Sequence, residues 1–330
     1  MTEMTGGFIV ERTGGPEALK WVEAEIAPPA AGDVRIRHQA VGVDFIDTQI
    51  RAGIMPMALP TRLGFGAAGI VEALGGPAPG LAVGDRVAYT ALTPGTYAES
   101  RNVPAERVFR LPDQSLPAEL AAGALFRGLT AWYLANRLRA LGPGAVALVH
   151  AAAGGVGHIL VQWLAHLGVT VIATVGSRQK LAALDGTGCA HAIALDEGDF
   201  VETVKRITGG TGCAVVYDSI GKATFERTLD CAARFGLVVS YGWASGDVDP
   251  VALVTLRNKG SLFVTRPTVS HYTAAAADFQ AGAAALFGLI GQGRLKIKVG
   301  HTYPLRDAAR AHADLAAGRT TGSIVLNVGG

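Results

Sequence analysis

The feature that most constrains the fold is a regular alternation of short apolar runs and helical segments between residues 145 and 265. Because strands that are apolar throughout are buried on both faces, this alternation predicts a parallel sheet covered by helices on both sides. The fold class is therefore α/β, with a doubly wound sheet of the Rossmann type. The predicted strands are Ala145–Val149, Val169–Val175, Ala190–Ala194, Ala214–Tyr217, Leu237–Tyr241 and Ser261–Thr265.

The segment between the first two apolar runs has the periodicity of an amphipathic helix. Its large apolar residues recur at intervals of three and four, which places their side chains on one helix face. We therefore predict a helix that packs against the sheet through this face. The residues are Val156, Ile159, Leu160, Trp163, Leu164 and Leu167.

The two ends of the chain lack this alternation. The first 120 residues contain β-like runs cut by glycine and proline, which predicts a β-rich unit, and a helix follows over Ala121–Leu138. Near the C-terminus we predict two helices and two strands that return to this unit. We therefore predict a discontinuous domain of residues 1–120 and 267–330, and a dinucleotide-binding domain of residues 121–266. The runs at the two ends are Val34–His38, Ala68–Leu74, Arg86–Tyr89, Tyr97–Ser100, Thr273–Ile290, Val299–Tyr303, Leu305–Ala317 and Ser323–Val328.

Charge and cysteine content restrict the class of partner. The formal net charge is +2 and no basic block is present, which argues against nucleic acid and anionic membranes. The three cysteines form no C-x-x-C pair, which disfavours disulfides and a structural zinc site and suits a reducing compartment. No apolar stretch reaches the roughly 18 residues that span a bilayer. We expect a soluble, cytoplasmic protein with a small-molecule ligand.

The segment from His150 to Gly157, His-Ala-Ala-Ala-Gly-Gly-Val-Gly, lies between the first strand and the amphipathic helix. A dinucleotide-binding fold places its pyrophosphate at this turn. Gly154 and Gly155 let backbone N–H groups approach phosphate, and Gly157 lets the helix pack closely on the strand. A tight turn that merely needs small residues is the competing interpretation, and the strand–turn–helix context favours the cofactor.

The end of the second strand bears on the choice between NADPH and NADH. NAD-specific folds usually place an acidic residue there for the ribose hydroxyls. The segment from Gly176 to Lys180 contains no acid and offers Ser177, Arg178 and Lys180. A hydroxyl and two cations suit a 2′-phosphate, so NADPH is favoured over NADH.

Motifs along nearly the whole chain resemble the zinc-free quinone oxidoreductases, the zeta-crystallin-like family of the medium-chain dehydrogenase/reductase superfamily. The resemblance implies a GroES-like β-rich catalytic domain built from both chain ends, a Rossmann domain inserted between them, and an active cleft where the domains meet. The motifs are Gly42–Thr48, Ala67–Val71, Val83–Val87, Gly128–Thr130, His150–Gly157, Val216–Gly221 and Val264–Pro267.

The resemblance also implies a set of cofactor contacts. These begin near the nicotinamide, include the glycine turn and the 2′-phosphate edge, and end with arginines late in the chain. They are Phe45, Thr130, Ala153, Gly154, Gly155, Val156, Gly157, Gly176, Ser177, Arg178, Lys180, Tyr241, Gly242, Arg266 and Arg319. The resemblance further implies a homodimer, with Ser261–Thr265 as the candidate edge strand.

Zinc-dependent relatives hold their metal with a cysteine and with the histidine of a Gly-His-Glu triplet. The corresponding positions here are Asp44 and Gly64-Phe65-Gly66, so no thiolate or imidazole is available at either place. We therefore expect no metal. Without a Lewis acid an alcohol is a poor hydride donor, and an activated acceptor such as a quinone or a conjugated carbonyl is expected instead.

Four positions depart from typical quinone reductases. Asp44 replaces an asparagine, Gln49 and Met55 replace tyrosines of the bacterial enzyme, and Leu195 replaces a tyrosine that lies against the 2′-phosphate. The last change weakens the preference for NADPH, although Arg178 can compensate. For Asp44 we consider two roles, a proton relay to the reduced acceptor and a simple polar lining.

The predicted function is NADPH-dependent reduction of a quinone by hydride transfer. Reduction of an enone, an enal or an enoyl thioester is the alternative, because it uses the same cofactor machinery. A non-catalytic NADPH-binding protein, crystallin-like or RNA-binding, is the alternative of another class, and the small net charge argues against RNA.

Overall fold

The computed structural model describes residues 3–112 and 115–329 and divides the chain into two compact units. Unit 1 comprises residues 1–127, 275–291 and 297–330, and unit 2 comprises residues 128–274 and 292–296. The division between residues 127 and 128 falls within a helix, α2 (Ala118–Asn136). Within the described residues, no helix is long and apolar enough to cross a membrane.

Unit 2 is built on a parallel sheet of six strands. Its spatial order is β10-β9-β8-β11-β12-β13, which is the doubly wound order, so the predicted fold class is confirmed. The order reverses between β8 and β11, and such a switch point is where α/β sheets bind ligands. The strands are β8 (Val146–Val149), β9 (Thr170–Val175), β10 (His191–Ala194), β11 (Cys213–Asp218), β12 (Ala232–Ser240) and β13 (Phe263–Thr265).

Helices cover the sheet of unit 2 and pack on it through apolar side chains. In α3 (Gly155–His166), Ile159, Leu160, Trp163 and Leu164 are buried, and the helix packs on β8 and β9. The side chain of Asp199 caps α4 by accepting the N–H groups of Val201 and Glu202. The remaining helices are α4 (Phe200–Ile207), α5 (Phe225–Thr228), α6 (Leu253–Asn258) and α7 (Val269–Tyr272).

Unit 1 contains a mainly antiparallel seven-stranded sheet and a two-stranded ribbon. The larger sheet runs β14-β15-β3-β4-β5-β7, with β6 paired to β3, and β1 pairs with β2 in the ribbon. Strand β15, near the C-terminus, pairs with β3, near the N-terminus. The strands are β1 (Glu3–Val10), β2 (Leu19–Ile26), β3 (Asp33–Val43), β4 (Gly66–Leu74), β5 (Arg86–Thr90), β6 (Ser100–Pro104), β7 (Val108–Arg110), β14 (Val299–Pro304) and β15 (Ser323–Asn327).

The helices of unit 1 include α1 (Phe45–Ala52), α8 (Ala276–Gly291) and α9 (Ala308–Ala316). Helices α1 and α9 contact each other. Buried aliphatic and aromatic side chains of the strands and of both helices form one hydrophobic core, which includes Ile50 of α1 and Ala311 of α9. The core therefore fixes the N-terminus of α1, where Asp44 lies.

For two predicted elements, the hydrogen bonds explain why the structure differs from the prediction. The predicted strand Tyr97–Ser100 is wrong, since β6 begins only at Ser100. Tyr97 instead donates its N–H to Leu63 and accepts the N–H of Phe8, so its backbone bonds to two separate segments. The helix predicted over Thr273–Ile290 begins at Ala276, because Thr273 ends α7 and donates its hydroxyl to the carbonyl of Val269.

Candidate dinucleotide-binding and active site

The turn between β8 and α3 leaves a helix N-terminus open to an anion. Gly154 is the N-cap residue, with φ −79° and ψ 168°, and α3 begins at Gly155. The first N–H groups of any helix have no acceptor within it, and here they belong to Gly155, Val156 and Gly157. These groups and the positive end of the helix dipole favour a phosphate at this turn.

Gly157 is required by close packing at the same turn. A Cβ atom on Gly157 would lie 2.5 Å from the carbonyl oxygen of Ala151 and 2.8 Å from Cα of Ala152. A Cβ atom on Gly154 would lie 3.2 Å from the same oxygen, a tight but less severe contact. Ala153, directly before Gly154, is buried. Gly157 therefore has the packing role that the third glycine of a dinucleotide fingerprint has.

The turn after β9 carries the predicted 2′-phosphate contacts. Gly176 faces open space, since an added Cβ atom would meet no atom within 4 Å. Ser177 precedes a short 3₁₀-helix, Arg178–Leu184, in which Lys180 is half-buried. The hydroxyl and the two cations therefore follow the strand next to β8 in the sheet, as the sequence predicted.

Two acidic residues after β10 bind Arg178, and the sequence analysis did not anticipate them. Nη1 of Arg178 donates to Oε1 of Glu197 at 2.8 Å, and its backbone N–H donates to Oδ1 of Asp196 at 3.1 Å. The Arg178 side chain is 79% exposed. A solvent-exposed ion pair is weak, so the guanidinium can exchange Glu197 for another anion.

The end of β12 approaches the end of β11. A Cβ atom on Gly242 would lie 2.6 Å from the carbonyl oxygen of Ser219, so only glycine fits there. Burial raises the pKa of the neighbouring Tyr241 to about 12. The guanidinium of Arg266 lies 4.7 Å from the ring centroid of Trp243 and pairs with Asp247 at 3.2 Å. Arg266 therefore covers one face of Trp243.

The N-terminus of α1, in unit 1, contains a buried ion pair. Asp44 is the N-cap residue and is 6% exposed, and its Oδ1 lies 3.1 Å from Nη2 of Arg127. Arg127 also donates to the carbonyl oxygens of Val43 and Gly123. Burial raises the pKa of Asp44, and the nearby guanidinium opposes this shift. Phe45, the next residue, is 39% exposed.

A second carboxyl group, Asp47, lies behind Asp44. Its oxygens accept the N–H groups of Asp44 and Gly64 at 2.8 and 2.9 Å, and the hydroxyl of Tyr97 lies at 3.3 Å. Burial, followed by the negative charge of Asp44, raises the pKa of Asp47 to about 7. Gly64 is thus held by Asp47. It belongs to the triplet Gly64-Phe65-Gly66, which corresponds to the Gly-His-Glu triplet of zinc-dependent relatives.

Comparisons with known proteins place this geometry in a family. Residues 30–113 match the alcohol dehydrogenase GroES-like domain, and residues 155–288 match the domain described as zinc-binding dehydrogenase. The chain is 44% identical over 314 residues to a quinone oxidoreductase of Pseudomonas aeruginosa, covering 95% of this chain and 96% of that protein. The chain belongs to the quinone oxidoreductase family. It is therefore an oxidoreductase of the medium-chain dehydrogenase/reductase superfamily.

Two further relatives describe the range of this family. The structure of the Escherichia coli quinone oxidoreductase complexed with NADPH matches with a TM-score of 0.94 and 41% identity, covering 98% of this chain and 99% of that one. A 2-haloacrylate reductase of Burkholderia is 43% identical over 330 residues, covering 98% of this chain and 99% of that protein. The predicted family and its two-domain fold class are thus confirmed.

The roles of the individual site residues remain predictions. In unit 2 the glycine turn follows β8, the segment from Gly176 to Lys180 follows β9, and Tyr241 and Gly242 follow β12. Thr130 is buried in α2. Phe45 and Asp44 lie in unit 1. Arg319 also lies in unit 1, where its guanidinium makes a 2.6 Å ion pair with Asp314.

Sequence reasoning missed the partner of Asp44. Arg127 interrupts an otherwise apolar stretch of α2, and such a lone cation in a buried helix is the available signal for a buried ion pair. Among residues 3–112 and 115–329, no group of three or more His, Cys, Asp or Glu side chains lies close enough together to hold a metal ion.

Proposed function

We propose that this chain transfers a hydride from NADPH to a quinone and does so without zinc. One observation carries the proposal. In unit 2 the glycine-bearing N-terminus of α3 and the segment from Ser177 to Lys180 follow adjacent strands of a doubly wound sheet. Relatives that are 42–44% identical are named quinone oxidoreductases, and one solved relative is complexed with NADPH.

The side chains and backbone of unit 2 fit such a cofactor. The N–H groups of Gly155, Val156 and Gly157 would hold the pyrophosphate, and the Ser177 hydroxyl and the Arg178 guanidinium would hold the 2′-phosphate. Thr130, Tyr241, Gly242 and Arg266 complete the proposed contacts of unit 2. We propose Phe45 and Arg319 as contacts from unit 1. When bound, NADPH supplies the hydride.

The absence of zinc in the proposed mechanism rests on the chemistry of two positions. Asp44 forms an ion pair with Arg127, and the N–H of Gly64 is bonded to Asp47. Neither position offers the sulfur or imidazole nitrogen that zinc prefers. The acceptor must therefore be activated by its own electronic structure, as in a quinone.

Hydride transfer to a quinone gives the hydroquinone monoanion, which takes up one proton. We propose Asp44 as the group that relays this proton, because burial raises its pKa and the Arg127 guanidinium holds its Oδ1 in place. Replacement Asp44→Asn should lower kcat by about a hundredfold and leave the Kd for NADPH unchanged. An unchanged kcat in this variant would assign Asp44 a lining role.

Reduction of an activated carbon–carbon double bond is the second candidate function. It is favoured by a specific relative, the 2-haloacrylate reductase of Burkholderia, which is as similar to this chain as the quinone oxidoreductases are. The two reactions use the same hydride donor and differ in the acceptor.

We further propose that the protein is a cytoplasmic homodimer. Strand β13 is an edge strand of the unit 2 sheet, and Phe263 and Val264 on it are 56% and 38% exposed. On the preceding helix, Leu253 is 82% exposed. Pairing of two β13 edges would cover these side chains. Sedimentation of Val264→Lys as a monomer, with a dimeric parent protein, would support this interface.

The deciding experiment measures oxidation of NADPH and of NADH, followed by absorbance, with 1,4-benzoquinone, a medium-chain enone, 2-chloroacrylate and crotonyl-CoA. We expect the highest kcat/KM with NADPH and the quinone. Faster turnover of 2-chloroacrylate or the enone would favour the second candidate. Tight NADPH binding without turnover of any acceptor would favour a non-catalytic role.

Residues 1–120 and 267–330 are our proposed catalytic domain, and residues 121–266 are our proposed cofactor domain.

A further inference from the structure

A chain of buried, hydrogen-bonded side chains lies at the ends of neighbouring strands of unit 2. Nδ1 of His150 lies 2.9 Å from the hydroxyl of Thr174, and Nε2 lies 3.0 Å from the hydroxyl of Thr228. The Thr228 hydroxyl in turn lies 3.0 Å from Oδ2 of Asp218. All four residues are 0% exposed. We name this set the His150 chain.

The direction of each hydrogen bond follows from a count of protons. Asp218 accepts the N–H groups of Ile220 and Gly221 at Oδ1 and the hydroxyls of Thr224 and Thr228 at Oδ2. Because a hydroxyl has one proton and Thr228 gives it to Asp218, Nε2 of the histidine must be the donor to Thr228. Burial lowers the pKa of His150, so the ring is neutral and holds one proton; Nδ1 then carries none and accepts from Thr174. Every donor and acceptor in the His150 chain therefore has one defined role.

The chain joins the carboxyl ends of three neighbouring strands. Thr174 is next to last in β9, His150 directly follows β8, and Asp218 is the last residue of β11. These strands are adjacent in the sheet, in the order β9-β8-β11. The segments after β8 and β9 carry proposed cofactor contacts. The segment after β11 begins with Ser219, which packs against Gly242, another proposed contact.

The link is tightest at β11. Besides its four side-chain bonds, Asp218 accepts the N–H of Tyr241 with its backbone carbonyl oxygen. Ser219, the next residue, is the one that Gly242 approaches so closely. A shift of Asp218 would therefore move the end of β12 together with the end of β11.

We propose that the His150 chain positions the three strand ends relative to one another and thereby sets the affinity for the whole dinucleotide. His150, Thr174, Thr228 and Asp218 are positioning residues in this scheme, since they lie beneath the surface. The proposal rests on the proposed NADPH-binding function. It differs from an ordinary structural role in one respect. Thr228 links the ends of β8 and β11, so NADPH, which would contact the segments after β8, β9 and β12, depends on it more than 2′,5′-ADP, whose two phosphates need only the segments after β8 and β9.

The variant Thr228→Val tests this proposal, because it keeps the shape of the side chain and removes the hydroxyl. The Nε2–H of His150 then has no acceptor, and Asp218 loses one of its four donors. We expect the Kd for NADPH to rise roughly tenfold or more, while the Kd for 2′,5′-ADP changes by less than about threefold. Thr228→Ser retains the hydroxyl and should bind NADPH as the parent protein does.

Thr208→Val is the matched control. The Thr208 hydroxyl is also hydrogen-bonded within unit 2, to the carbonyls of Val204 and Lys205 and from the N–H of Gly212, but it is outside the His150 chain. Circular dichroism should show that every variant is folded at the temperature of the titration. Equal weakening of NADPH and 2′,5′-ADP, or equal effects of Thr228→Val and Thr208→Val, would overturn the proposal. A parent protein that fails to bind NADPH would instead overturn the proposed function.

Discussion

Units 1 and 2 each bury a histidine in a chain of side chains that ends on an aspartate. The two aspartates differ in the groups that stabilise their charge. In unit 2, Asp218 accepts four hydrogen bonds, all from neutral N–H and O–H groups. In unit 1, Asp47 accepts two N–H groups and the Tyr97 hydroxyl, and a second carboxyl group, Asp44, lies close enough to raise its pKa. Neutral donors thus suffice for one carboxylate, whereas the pair of acids in unit 1 also needs a cation.

The unit 1 chain can be traced by the same count of protons. Nη1 of Arg51 faces Nδ1 of His312 at 3.4 Å, and since arginine only donates, Nδ1 must accept. Nε2 of His312 then donates to the Tyr97 hydroxyl at 2.9 Å, and Tyr97 gives its proton to Asp47. Burial, with the Arg51 charge, lowers the pKa of His312 to about 3. This histidine is therefore neutral, and its chain connects α9 to the N-terminus of α1.

The largest expected effect comes from removing the cation of unit 1. Arg127→Met leaves the Asp44 carboxylate buried without its partner, so we expect the free energy of unfolding to fall by about 4 kcal/mol. Urea denaturation measures this loss. Lys222→Met, which breaks an exposed ion pair with Asp249 in unit 2, should change it by less than about 0.5 kcal/mol.

A second substitution identifies the cause of that loss. Adding Asp44→Asn to Arg127→Met removes the unpaired charge and should recover a large part of the lost stability. If the double variant is no more stable than Arg127→Met alone, the guanidinium acts through its bonds to the carbonyls of Val43 and Gly123, and the acids of unit 1 do not need its charge.

The next effect concerns pH. The pKa of Asp47 is raised from its ordinary value of 3.8 to about 7 in the folded chain, so between these values the folded state binds more protons than the unfolded state. The stability that this carboxyl group contributes is therefore present at low pH and is lost as the pH rises through about 7. From about pH 5 to about pH 8 the loss is about 3 kcal/mol.

Asp47→Asn measures this contribution by difference. The free energy of unfolding of the parent minus that of Asp47→Asn should fall as the pH rises, which removes the opposing effect of the histidines. His38 and His312 have pKa values lowered to about 4 and about 3 in the folded protein. The stability that they contribute is therefore lost as the pH falls below their ordinary pKa of 6.5. A difference that is flat between about pH 5 and about pH 8 would show that Asp47 is ionised throughout that range.

The same comparison shows what the sequence could predict. The doubly wound sheet and the α3 face follow from periodicities that repeat over many residues, so they are visible without any knowledge of distant contacts. The glycine turn was predicted because its spacing and its strand–helix context are both local. Gly157 shows why, since the atoms that require a glycine belong to Ala151 and Ala152, only a few residues away.

The two buried chains could not be predicted in this way. Tyr97 and His312 are 215 residues apart, and His150 and Thr228 are 78 residues apart. A single polar residue makes no periodic pattern in the sequence. Its hydrogen-bond partner lies far along the chain and comes close to it only when the sheet forms. His150 begins the glycine segment that is visible in the sequence, but its partners and its link to Asp218 required the structure.

The smallest expected effect extends the comparison to the surface, where charges are solvated. Glu197 pairs with Arg178 in an exposed ion pair of unit 2, so Glu197→Gln should change the free energy of unfolding by less than about 0.5 kcal/mol. It should nevertheless lower the KM for NADPH about threefold and leave that for NADH unchanged, because Arg178 then no longer exchanges one anion for another. Glu202→Gln, which removes an exposed partner of Lys205, is the control.

Salt separates this electrostatic effect from a change in shape. At an ionic strength of about 1 M the Debye length is about 3 Å, so the advantage of Glu197→Gln with NADPH should nearly disappear. An advantage that persists at high salt, or that is equal for NADPH and NADH, would mean that Glu197 does not compete with the 2′-phosphate. The preference for NADPH would then depend on Ser177 and Lys180, and an exposed acid beside the cofactor site would affect recognition as little as it affects folding.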